Sequence, residues 1–177
     1  MTCRSLLRFG GLVLVACALW VGWQAFAPRP LPPPVAAVEQ IDRILIEKSA
    51  RRLTASRDGE TVLEFPIALG FTPEGDKLQE GDGKTPEGIF RIDRRNPNSA
   101  YHLSLGINYP QVDDISRAKA AGISPGGDIF IHGQPNAVGD LITLPGDWTA
   151  GCIALSNEQM KVLWRLAAIG TEVEIRP

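Results

Sequence analysis

Histidine is scarce in this chain, two in 177 residues, and cysteine and tyrosine are nearly as rare at three and two. Each scarcity excludes something. A catalytic zinc needs at least three protein ligands, and His102 and His132, thirty residues apart with no HExxH or HxxE spacing, are poor material for one. No metal is expected, and serine catalysis is given little weight. Three cysteines cannot make a disulfide framework, and Cys3 and Cys17 belong to an N-terminal stretch that cannot readily reach Cys152. Clustered basic charge is missing as well. The first 27 residues hold Arg4 and Arg8 and no acid, which leaves 16 basic against 20 acidic residues in the rest. Phosphate neutralisation needs clustered Lys and Arg, so no nucleic-acid partner is expected.

Charge is absent altogether between Arg8 and Arg29. The run FGGLVLVACALWVGWQAFA is long enough, at ~1.5 Å per residue, to cross about 30 Å of hydrocarbon. The preceding arginines place residues 1–8 in the cytoplasm and make 9–27 a transmembrane signal anchor. Two other readings stay open: Ala25-Phe26-Ala27 resembles a signal-peptidase site, and Leu14-Val15-Ala16-Cys17 a lipoprotein acylation site. All three export the C-terminal domain, so the expected location is the inner membrane, single-pass, with that domain in the periplasm or cell envelope. Residues 28–40 carry five of the fourteen prolines and read as an extended spacer.

From Ile41 to Pro177 the pattern is that of one domain. Ile44-Leu45-Ile46, Leu53-Thr54-Ala55 and Val62-Leu63-Glu64-Phe65 are β-like, with Arg57-Asp58-Gly59-Glu60 as a hairpin turn, which predicts a β-meander. IFRI, YHLSLGI, DIFIHG and TEVEIRP read as further strands, and FTPEGDKLQEGDGKTPEGIF as surface loop. Helical periodicity is confined to Asp113–Ala121 and Glu158–Ile169, the second capped by Ser156 or Asn157. The expected fold is mainly β, a compact sandwich- or barrel-like core with two short helices.

Cys152 stands in Asp147-Trp148-Thr149-Ala150-Gly151-Cys152-Ile153. An unpaired thiol in an oxidising compartment is either buried as a small hydrophobe or put to use. A thiol nucleophile needs a base, since at a pKa near ~8.5 it is mostly protonated at neutral pH. His132, at the end of the apolar strand DIFIHG, is the better of the two histidines; a histidine that merely caps a sheet edge is the competing reading. Trp148 either shields the thiol site from water or packs into the core, the second being slightly favoured.

His132-Gly133, followed by Thr149-Ala150-Gly151-Cys152-Ile153, resembles the HG…[S/T]xGC signature of the L,D-transpeptidase (YkuD-type) catalytic domain. Gly83-Lys84-Thr85-Pro86-Glu87-Gly88-Ile89-Phe90 is similar to that family's KTPxGxF segment. Tyr101–Gly106 and Ser124–Gly133 resemble the murein L,D-transpeptidase subgroup typified by YafK, which includes hydrolytic members. The resemblance covers Ile41 to Pro177 and implies cysteine acyl transfer on peptidoglycan stem peptides without a cofactor. Acceptors would be a stem amine, a lipoprotein lysine or water. It implies Cys152 as nucleophile, His132 as general base and then acid, the Gly133 carbonyl as the group orienting His132, and the backbone at Gly151 as part of the oxyanion region. His102, Thr149, Lys84 and Arg91 are candidate substrate contacts. Two positions depart from the family pattern: Ala150 replaces a common histidine and Ala154 a common arginine. If that arginine holds a substrate carboxylate, Arg91, Arg94, Arg95 or Lys84 must stand in for it. An inactive peptidoglycan-binding module is the reading of another class.

Overall fold

The structure, a computed structural model, describes residues 40–140 and 142–177. Contacts divide the chain into Met1–Ala37 and Val38–Pro177. The anchor expected at 9–27, and all but the last residue of the spacer, therefore lie outside the described residues. Among those described, no helix is long and apolar enough to cross a membrane.

The domain is built on one sheet of eight strands: β1 (Ile41–Glu47), β2 (Arg52–Arg57), β3 (Glu60–Pro66), β4 (Gly88–Ser99), β5 (His102–Ile107), β6 (Phe130–His132), β7 (Ile153–Ala154) and β8 (Ala167–Arg176). Their order is β3-β2-β1-β8-β4-β5-β6-β7. The first three form the expected meander. At its turn Asp58 and Gly59 take φ of 50° and 82°, the left-handed pair that matches the twist of a two-residue hairpin. β8 then joins β1 in parallel, with Ile44 beside Val173.

β4 makes the sheet curl. Residues 88–91 pair with β8, whereas the strand from Ile92 onward pairs with β5, with irregularities between Ile92 and Arg94 and between Asn96 and Ser99. Bulges bend a strand and raise its local twist, so one long strand serves both halves of the sheet. The two ends of the sheet then meet: Ala68, just after β3, exchanges backbone hydrogen bonds of 2.9 and 2.8 Å with Ala154 of β7. The result is a curled half-barrel. Its inside is filled by Ile44, Ile46, Leu53, Leu105, Ile131 and Ile153, all without exposed surface, each contributing about 1.5–3 kcal/mol by burial.

Two helices complete the domain, α1 (Val112–Ala120) and α2 (Asn157–Leu166). Ser156 caps α2: its Oγ accepts from Gln159 N, and Gln159 returns a bond to Ser156 N at 3.1 Å. The helix stops earlier than its periodicity suggests. Ala167 already has extended backbone and opens β8, buried and paired with Ile41, whereas Ile169 is exposed. The strand expected at DIFIHG shrinks to three residues, and β7, with two, carries no local signature.

Candidate active site

Strand pairing brings the two signature residues together. β6 and β7 are parallel, with Ile131 beside Ile153, and both isoleucines are buried in the core. Side chains alternate along a strand, so His132, after the first, and Cys152, before the second, both turn to the opposite face. Both line one cleft of about 420 Å³, with Tyr101, Trp148, Thr149 and Ser104 among its walls. Cys152 also opens onto a second hollow of about 310 Å³ that includes Lys77 and Asp128.

His132 is only 4% exposed. Its ring lies 4.6 Å from that of Tyr101 and 5.7 Å from that of Trp148, the latter edge-on. Nδ1 is 2.7 Å from the Gly133 carbonyl oxygen. A carbonyl can only accept, so Nδ1 carries the proton and Nε2 keeps its lone pair in the neutral ring. Burial pushes the His132 pKa down, against the opposing pull of the Gly133 bond. Cys152 is half-buried, and its Sγ donates to Asp128 O at 3.5 Å. Burial pushes its thiol up, and the Asp128 carboxylate adds to this; a backbone bond at Phe130 and the Lys77 and Arg94 charges act the other way. Burial thus disfavours the charged form of both groups, the imidazolium as well as the thiolate.

The loop before Cys152 is tied from several sides. Thr149, 4% exposed, donates through Oγ1 to Cys152 O at 2.7 Å and accepts from Gly151 N at 3.1 Å. The Gly151 N–H is thus engaged by Thr149 in the resting site, and Gly151 also meets a backbone and a spatial requirement. Its φ is +137°, and a Cβ there would lie 2.7 Å from Lys84 O. Gly133 is required for space rather than dihedral freedom, since a Cβ would sit 2.5 Å from Asn157 Oδ1 and 2.9 Å from His102 Cβ. Asp147 anchors the start of the loop, accepting from Leu69 N at 2.9 Å and pairing with Arg51 at 2.8 Å.

Other expected contacts fall elsewhere. His102 is not part of the cleft wall; it backs Gly133, with Nδ1 3.9 Å from Asp140. Lys84 supports Gly151 through its carbonyl while its ammonium lies near Gly75. Glu87, three residues on, pairs with Lys48 at 2.7 Å. Arg91 faces Glu172 and Gly170 on β8, away from the cleft, and Arg95 lies over Trp164. Of the four cations named for a substrate carboxylate, Arg94 alone reaches cleft residues, pairing with Asp128 at 3.1 Å and covering Phe130 at 4.5 Å. Trp148 is half-buried in the cleft wall, not in the core. Lys77 carries no signal in the sequence, yet it is 3% exposed and pairs with Asp82 at 2.8 Å beside the second hollow.

Two stretches match serine-enzyme patterns by letters, Gly122-Ile123-Ser124-Pro125-Gly126 (GxSxG) and Ser116-Arg117-Ala118-Lys119 (SxxK). Neither has the required setting. Ser124 follows a helix instead of a strand, its Oγ accepting from Gly126 N, and Ser116 is exposed on α1. Among the described residues, no cluster of three metal-ligating side chains exists.

A thiol and a neutral imidazole sharing a cleft on adjacent strands, the thiol on a locked glycine loop, make a site suited to acyl transfer through a thioester. The sequence model of the L,D-transpeptidase catalytic domain family (YkuD) matches residues 41–175, and the chain belongs to that family. Among solved structures it is similar to the helical cell shape determining protein Pgp2 from Campylobacter jejuni, at 30% identity and TM-score 0.59, over 78% of this chain and 48% of that one. It is also similar to Bd1075 of Bdellovibrio bacteriovorus, at 26% identity and TM-score 0.55, over 80% and 50%. An L,D-transpeptidase from Xylanimonas cellulosilytica shares the fold at 18% identity and TM-score 0.51, over 88% and 68%. The chain thus spans about half the length of the first two. No curated protein matches it.

Proposed function

We propose that the protein is a cysteine acyl transferase of L,D-transpeptidase type acting on peptidoglycan stem peptides. The observation that carries this is the shared cleft: Cys152 and His132 face it together, and Gly133 fixes Nδ1–H so that Nε2 is the nitrogen able to take the thiol proton. In this reading Nε2 removes the proton as Sγ attacks the carbonyl of a stem peptide. The Cys152 N–H, with that of Gly151 committed to Thr149, receives the developing oxyanion. The tetrahedral centre collapses, the C–N bond breaks, and the imidazolium returns its proton to the departing amine of the terminal D-residue. A thioester on Cys152 remains, to be resolved by a stem amine, a lipoprotein lysine or water.

Incubating the protein with tetrapeptide muropeptides and weighing protein and products by mass spectrometry tests this. A thioester adduct absent from Cys152→Ala, together with cross-linked dimers, is the expected result. Adducts that resolve only to shortened stems would assign the acceptor to water, as in hydrolytic members of the YafK-like subgroup. A folded protein that binds murein sacculi but forms neither adduct nor product would overturn the enzyme reading in favour of a binding module.

The export signal in residues 9–27 supports a location consistent with that substrate: an inner-membrane anchor with the domain in the periplasm. Externally added protease should cut the domain in spheroplasts and leave cytoplasmic proteins intact; protection of the domain would refute the topology.

A further inference from the structure

Among the described residues no carboxylate bonds to the His132 ring, whose Nδ1 faces the Gly133 carbonyl instead. That carbonyl, however, belongs to a peptide group engaged at both ends. Its oxygen faces His132 Nδ1 at 2.7 Å, and its N–H, that of Gln134, donates to Asn157 Oδ1 at 2.7 Å. Asn157 Nδ2 donates in turn to Asp140 Oδ1 at 2.6 Å. We propose that Asp140 and Asn157 are positioning residues for His132, acting through the Gly133–Gln134 peptide, so that a carboxylate two amide groups away completes the thiol–imidazole pair. The proposal deepens the acyl-transfer reading and rests on it.

The hydrogen bonds of this relay run in one direction. Asp140 accepts from the Asn157 amide, whose carbonyl accepts from Gln134 N–H, and the carbonyl of that peptide accepts from His132. Two amide dipoles are thereby aligned head to tail between an anion and the ring that becomes cationic during acylation; Asn157 and Gln134 are buried, where aligned bonds polarise one another, whereas the Asp140 side chain is 61% exposed and its charge is partly screened. Asn157 is 5% exposed and is the first residue of α2, directly after the Ser156 cap, so its backbone is fixed by the helix. Gly133 leaves no room for a side chain between that amide and the peptide. The competing account makes Asp140 a partner of His102, whose Nδ1 is 3.9 Å away, and Asn157 a mere helix-end bond.

The chain has only two histidines, so imidazole ¹⁵N and ¹H spectra of the whole protein contain two rings, assigned with His102→Gln. In Asn157→Ala, His132 should lose its single Nδ1–H tautomer and show exchange between both, and single-turnover thioester formation should fall about 10–100-fold with KM unchanged, on the scale known for groups that orient metal-bound histidines from behind. Asp140→Asn keeps the acceptor and removes only charge; it should lower the His132 pKa and slow the same step by less than Asn157→Ala does. An unchanged His132 tautomer, pKa and rate in a folded Asn157→Ala would overturn the proposal. If that variant does not fold, Asp140→Asn decides: a shift confined to His102, with His132 untouched, refutes the relay. The spectra need no substrate. A wild-type protein inert towards muropeptides would therefore defeat the acyl-transfer reading while the His132 tautomer still judges the relay.

Discussion

Replacing His132 by glutamine is expected to slow thioester formation by about 10²–10⁴-fold, the contribution of a positioned general base, while muropeptide binding persists. The size comes from the state of the thiol. Burial, with the Asp128 carboxylate adding to it, pushes the Cys152 thiol up, so its ionisation needs a base. The pH dependence carries the same argument with a definite sign. In the wild type the working form of His132 is neutral, and its pKa is depressed by burial; activity should hold through neutrality and fall only as pH drops below the ordinary histidine value of about 6.5. In His132→Gln the acid limb should vanish, and what reactivity remains towards a mild thiol electrophile should climb at alkaline pH, tracking the ionisation of Cys152 itself. The measurement is labelling rate against pH for the two proteins. Superimposable profiles would show that His132 does not act on this thiol.

Much of this arrangement was legible because it depends on local pattern. A strand that ends in His-Gly, a glycine before a cysteine, and an Asp-Gly turn between alternating runs each announce a backbone requirement that a few neighbouring residues satisfy. What stayed hidden depends on residues far apart in the chain. Lys48 comes after β1 in a run, Glu-Lys-Ser-Ala-Arg-Arg, that reads as an exposed strand end, yet the residue is only 2% exposed. Lys84 is the neighbour of Glu87 in sequence, but the strand geometry delivers Lys48 to it instead. β7 is too short for any periodicity, and exists because β6 on one side and Ala68 on the other supply its hydrogen bonds. Asn157 looks like a helix cap; Ser156 performs that task, which frees the asparagine amide for the peptide behind His132.

Lys48 is also where the largest loss of stability outside the apolar core is expected. Its ammonium has three acceptors: Glu87 at 2.7 Å, Gly75 O at 2.6 Å and Thr85 O at 3.1 Å. A charge this buried is tolerated only when paired and fully bonded, and here those bonds pin both ends of the loop that runs from Gly75 to Glu87. The same loop lies under the cysteine: Thr85, fully buried, accepts from Gly70 N, and Lys84 O fills the space beside Gly151. Lys48→Met keeps the apolar stem and leaves Glu87 and two carbonyls without their donor. Breaking a buried pair from one side costs about 3–5 kcal/mol, and because Glu87 retains some contact with solvent the lower end applies. For a domain of this size a loss of about 3 kcal/mol corresponds to a melting temperature lower by roughly 6–12 °C. The Cys152 loop, deprived of its floor, should lose labelling rate at temperatures where the variant is still folded. Lys48→Met combined with Glu87→Gln should recover part of the stability, since the uncompensated carboxylate is gone, and the double-mutant cycle measures the coupling. Unchanged melting and unchanged labelling in Lys48→Met would mean that the loop is held by its backbone contacts alone. A loss of stability with labelling intact would separate the packing of this loop from the geometry of the cysteine.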